Sequence, residues 1–129
     1  MEIKRIEGDP YIAHCKDDLQ EIQSVSAHNQ ETAQLAQSYC TVEALTAISY
    51  LAAVLHDCGK YSNRFQEYIR QGEASVFRRG EVNHSTAGGI LMEELAPKSS
   101  LSEIIQIVVY SHHGLQDAVD LETGSWLIE

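Results

Sequence analysis

The sequence is poor in the residues that staple, anchor or address a chain. Its three cysteines, Cys15, Cys40 and Cys58, are dispersed and form no C-x-x-C pair. That pattern excludes a disulfide framework and a thiolate zinc site, and three small buried thiols are expected instead. Prolines are confined to Pro10 and Pro97, and no internal repeat or low-complexity segment occurs. The longest purely apolar run, Tyr50 to Leu55, is far too short for a membrane span, and the N-terminus carries no hydrophobic signal region. A soluble cytoplasmic protein with no membrane partner is the expectation. Basic residues are also scarce: nine Lys and Arg stand against nineteen Asp and Glu, a formal net charge of -10. A free-standing nucleic-acid binder normally carries a basic patch. Catalysis on phosphates stays open, because bound divalent cations reverse the local field, but a basic partner would then have to hold the strand.

What is present suits one globular domain. The 129 residues, 43% of them hydrophobic, are enough for a single core and leave no room for a second. The periodic segments read as helices. Ile22, Val25, His28, Thr32, Leu35 and Tyr39 follow three- and four-residue steps, which predicts a helix from about Asp18 to Tyr39. Leu45, Ile48, Ala52 and Leu55 predict a second, central helix from about Val42 to Asp57, with Thr41 as N-cap and Gly59 in the left-handed position past its end. A short helix over Asn63 to Gln71 closes at Gly72, and 72–83 reads as a surface loop. Another helix starts near His84-Ser85 and ends before Pro97. Ser100-Leu101-Ser102-Glu103 resembles a capping box opening a helix through Val109 that stops at Gly114. No strand stands out, so the fold class is all-α.

The chemistry lies in the histidines. Five of the six fall at the ends or on the apolar faces of predicted helices. Taken singly, His28 reads as a core residue and His84 as a helix cap, while His14, beside Lys16 and Asp17, reads as a surface residue. Together they read differently. His56-Asp57 closes the most apolar helix, where an ionised carboxylate costs several kcal/mol to bury without compensation. A divalent cation would compensate. Imidazole and carboxylate together suit Mn, Fe, Co, Ni or Zn, and Mg less well. Lys60, one turn on, can reach a phosphate oxygen near such a centre, or can simply be a solvated charge favourable to the helix dipole. His112-His113 supplies two more imidazoles at a second helix end.

A single H, then H-D-x-G-K, then a lone H, then H-H is the ligand pattern of the HD phosphohydrolase superfamily, and it stands here as His28, His56-Asp57-Cys58-Gly59-Lys60, His84 and His112-His113. Phe65-Gln66, His84-Ser85-x-x-Gly88-Gly89 and His112-His113-Gly114 narrow the likeness. From about Ala13 to Gly114 the chain resembles the nuclease domain of the CRISPR type I helicase-nuclease. The resemblance implies a helical fold, an HD-domain bundle, with up to two divalent transition metals. One would be held by His28, His56 and Asp57. Asp57 would bridge to a second on His84, His112 and His113. The metals would activate water for attack on a phosphodiester phosphorus, and Lys60 would stabilise the charge that develops there, with Asp57 and Lys60 as the catalytic pair. The implied substrate is single-stranded DNA, fed by a helicase in cis or in trans after a CRISPR surveillance complex opens the target, in antiviral defence.

In one respect the chain departs from that pattern. Relatives add an aspartate to the first metal from a helix well downstream of H-H, whereas Asp117 and Asp120 follow His113 too closely to take that role. Residues 1–129 are therefore expected to be a single HD-type domain that lacks its C-terminal part, the chain stopping in Trp126-Leu127-Ile128. A weaker first site, partial occupancy and low activity follow. Two alternatives stand beside this reading. One is an HD phosphohydrolase acting on nucleotides or cyclic dinucleotides, although no G-Y-P element is present. The other is a non-catalytic interaction domain that keeps a metal site.

Overall fold

A computed structural model describes residues 11–16, 21–77 and 81–114. It holds two short strands and five α-helices among those residues: β1 (Ile12–Lys16), β2 (Glu21–Ser24), α1 (Val25–Tyr39), α2 (Thr46–Leu55), α3 (Asn63–Gln71), α4 (Ala87–Leu95) and α5 (Ser100–Tyr110). Short 3₁₀ turns cover Glu43–Leu45, Cys58–Tyr61 and Gly72–Ala74. The domain is predominantly helical, as its periodicity implies. No helix is long and apolar enough to cross a membrane, among the described residues.

The N-terminal third differs from the sequence expectation. The first long helix begins at Val25 rather than near Asp18, because the Ser24 side chain accepts from the Ala27 N–H and caps it there. Residues Glu21–Ser24 are instead an antiparallel strand against Ile12–Lys16, with Ile12 opposite Ser24, His14 opposite Gln23 and an irregularity between Ile12 and His14. That irregularity breaks the two-residue alternation of a strand: Ile12 and Ala13 are both buried, and His14 follows on an open face. Gln66 is one of the side chains that tie the hairpin to the body. Gln66 of α3 accepts from the Ile12 N–H at 2.9 Å and donates to the Ile12 carbonyl at 2.9 Å and the Lys60 carbonyl at 2.7 Å. Its amide thus takes the place of a neighbouring strand.

The core sits where α2, α4 and α5 meet. Ala52, Leu55, Ile105 and Val109 form its buried centre, with Ile48, Cys58 and Met92 packed against it. α4 crosses the end of α2 so closely that a Cβ at Gly88 would fall 1.9 Å from the Leu55 carbonyl oxygen. This is a position only glycine fits. Gly59 is glycine for the same reason, not for a left-handed backbone: a Cβ there would lie 2.2 Å from the His84 carbonyl oxygen. The positive-φ glycines are Gly72, at 53°, which closes α3, and Gly114, at 153°.

Smaller boundaries shift as well. The central helix starts with a 3₁₀ turn at Glu43, and Thr41 is not its cap. α4 starts at Ala87, later than His84-Ser85. The capping box at α5 is made by Ser99 and Ser102, one residue earlier than the Ser100–Glu103 pattern. Leu35 and Tyr39, the far end of the α1 stripe, are exposed. The three cysteines form no disulfide and are only partly buried.

Candidate metal centre

Asp57 is the hub. It follows the last turn of α2 and opens the 3₁₀ turn, so its carboxylate stands at a helix C-terminus, where partial negative charge favours cations. It is 4% exposed. Its two oxygens face different groups. Oδ2 lies 2.9 Å from His28 Nε2, 3.3 Å from His56 Nε2 and 2.9 Å from the Lys60 ammonium. Oδ1 lies 3.1 Å from His112 Nε2 and 3.6 Å from His84 Nε2. His113 completes this second side, its Nε2 2.8 Å from that of His84.

Five elements deliver these groups. His28 comes from the second turn of α1, where its carbonyl accepts from Thr32 Oγ1. His56 and Asp57 come from the end of α2, and Lys60 from the 3₁₀ turn. His84 comes from the segment before α4, held against the Gly59 backbone. His112 and His113 come from the turn after α5. Burial also governs their protonation. Burial alone would raise the Asp57 carboxyl, but hydrogen bonds from His112, His28 and His56, with the charge of Lys60, hold it well below the usual range. Burial opposes charge on His56, yet its bonds to Asp57 and to the Ala53 carbonyl raise its pKa. For His84 burial wins, and its pKa falls.

The chemistry of the donor set fits a divalent ion. Nδ1 of His56, His84 and His112 points to the carbonyls of Ala53, Val82 and Val109 respectively. A ring that donates through Nδ1 turns its Nε2 lone pair inward, the arrangement usual for metal-binding histidines. The Nε2 atoms of His28 and His56 are 3.2 Å apart, both beside Asp57 Oδ2. Only protons or cations can relieve such a concentration of lone pairs. Two groups bring one ligand atom per residue within 4.8 Å of one another, Asp57 with His84, His112 and His113, and Asp57 with His14 and His28.

His14 is the residue that sequence reasoning missed. Read as a surface residue, it stands on the rim of the cluster, with Nε2 3.4 Å from the Lys60 ammonium and its ring edge-on to His28 at 4.7 Å. Burial, then the charges of Lys60 and His28, push its pKa down to about 4. Nothing local marks it, because the hairpin and the Gln66 contact that place it span 54 positions. Asp117 and Asp120 lie outside the described residues.

The family model for Cas3, HD domain, matches residues 4–128. The chain belongs to that family. The matched span contains the whole of the buried cluster around Asp57. No match is found among curated proteins or among solved structures. Within a Cas3 HD domain, the cavity beside the cluster gains meaning. It measures about 570 Å³, and its lining includes His14, Lys60, His84, His113, Phe65 and Tyr68. The Lys60 ammonium also lies 5.6 Å from the centre of the Phe65 ring, a cation–π contact. The cavity thus brings imidazoles, an ammonium and aromatic rings into one lining.

Proposed function

We propose that this domain is a metal-dependent nuclease that hydrolyses single-stranded DNA in CRISPR interference. The observation that carries the reading is the division of the Asp57 carboxylate, one oxygen toward His28 and His56, the other toward His84 and His112. A carboxylate so divided suits two ions a few ångströms apart. His28, His56 and Asp57 would hold one, and Asp57, His84, His112 and His113 the other. When bound, such ions lower the pKa of water and neutralise charge on a phosphodiester. Mn, Fe, Co, Ni or Zn suits this donor set best.

The chain's own residues do the rest. Asp57 orients both halves of the centre. Lys60, 5% exposed and positively charged, can donate to a phosphoryl oxygen as charge grows on it. The cavity wall at Phe65 and Tyr68 offers rings on which a base can stack. With a net charge of -10, the domain itself supplies little track for a polyanion, so a helicase, fused or separate, and a surveillance complex would present the strand. We take residues 1–129 as one such HD-type domain, acting in the cytoplasm.

Metal-loaded protein incubated with a linear single-stranded oligonucleotide, with deoxynucleoside triphosphates and with cyclic dinucleotides should cleave the oligonucleotide. Chelation should stop it. Turnover of the small substrates alone would make the domain a nucleotide phosphohydrolase. Metal uptake without any turnover would make it a binding module.

A further inference from the structure

Resting on the metal-centre reading, we propose that His14 is a ligand of the ion on the Oδ2 side, shared with His28 and Asp57. Three observations carry it. The Lys60 ammonium can only donate, so the His14 Nε2 that faces it at 3.4 Å presents a lone pair. The same ammonium sits 2.9 Å from Asp57 Oδ2, so His14 and Asp57 already converge on one cation. The ligand atoms of His14, His28 and Asp57 lie within 4.8 Å of one another. Tetrahedral donors at roughly 2.1 Å from one ion are about 3.4 Å apart, so closure of at most about 1.4 Å suffices.

The backbone explains how a strand residue comes to be aimed there. The irregularity between Ile12 and His14 buries Ile12 and Ala13 together, and the histidine comes out of register with the hairpin's outer face. Bulges of this kind re-aim side chains and recur beside active sites. Gln66 then fixes the strand against the Lys60 carbonyl, so His14 and Lys60 are held by one amide. The edge-on ring of His28 sets the plane of His14. On this reading the Oδ2 side has three imidazoles, His14, His28 and His56, and one carboxylate oxygen within its reach.

The test is cobalt binding to the whole chain, followed by calorimetry, by metal content after desalting and by the visible absorption of Co(II). Wild type should take up two ions. His14→Ala should keep the Oδ1-side ion and weaken the other by on the order of 100-fold, at least the loss seen when a ligand's supporting partner is removed. His14→Glu, which restores a donor, should recover much of it. Cadmium-113 loading of ¹⁵N-histidine-labelled wild type gives a readout that no variant's folding can confuse: a cadmium–nitrogen coupling at His14 Nε2. Two ions bound by His14→Ala with unchanged affinity and spectrum, or coupling at the other histidines without His14, overturns the proposal and leaves the metal centre standing. A wild type that binds no cobalt and no cadmium overturns both.

Discussion

The two oxygens of Asp57 look onto regions built differently. On the Oδ1 side, His84, His112 and His113 come from the segment before α4 and the turn after α5, and the polar groups described there are all imidazoles. On the Oδ2 side, β1, α1, α2 and the 3₁₀ turn converge, and an ammonium already stands against the carboxylate at 2.9 Å. A cation entering the first region meets imidazoles and, among the described residues, no competing ammonium. One entering the second must compete with Lys60 for the same oxygen. The same carboxylate therefore faces one open side and one guarded by an ammonium, and the guard is the residue proposed to touch the phosphate.

The largest effect on this contrast should come from erasing it. Asp57→Ala removes the carboxylate common to both regions, and bound metal should fall from two ions to none by elemental analysis. Oligonucleotide cleavage should drop roughly 10³-fold or more, since several kcal/mol of transition-state stabilisation go with the ions. Lys60→Gln separates guarding from catalysis. Cleavage should fall on the order of 10²-fold, while calorimetry shows the Oδ2-side ion binding as tightly as before or more tightly. Weaker metal binding in that variant would mean the ammonium supports the site rather than guarding it.

Next in size is Gly59→Ala. Its Cβ would fall 2.2 Å from the His84 carbonyl oxygen, and overpacking of this kind costs about 1–3 kcal/mol. Thermal melting should register that loss, and the Oδ1-side ion should weaken more than the other, because His84 is what must move.

The smallest expected effect is on pH. His14 has a folded pKa of about 4, below its ordinary 6.5, so its neutral form favours the fold. Its contribution is full above pH 6.5 and is lost as pH falls toward 4. His84 and Asp57, whose pKa values are also lowered, act in the same direction, Asp57 at more acid pH. His56, with a raised pKa, contributes below pH 6.5 and loses its share as pH rises through its folded value. Metal-free protein should thus lose melting temperature between pH 6.5 and 4, and His14→Gln should flatten that slope. A wild-type melting temperature that holds level across that window would rule this out.

How much of this was legible depends on how local the cause is. α3 was readable to the residue, because the Ser62 cap and the left-handed Gly72 are both local signals. His56-Asp57 could be placed at the end of the most apolar helix, and the ordered histidines pointed to the family whose model the chain matches. The hairpin was not readable. Ile22 and Val25 fit a helical step, and only pairing with Ile12–Lys16, together with the Ser24 cap, makes residues 21–24 a strand. Gly59 was noticed for the wrong reason, since its neighbour in space, His84, is 25 positions away. His14 stayed hidden for the same cause: its meaning comes from a bulge and a distant glutamine.

That glutamine has a kinetic consequence. Because the Gln66 amide reaches the Ile12 backbone across 54 positions, the β1 half of the Oδ2 region is complete only after a late, long-range docking step. Contacts of this separation form slowly and open first. The Ile12 amide proton, donated to Gln66, is then a clock for the site. Its exchange with solvent should slow when the Oδ2-side ion binds, which makes metal uptake there a fastening of the hairpin as much as an act of coordination.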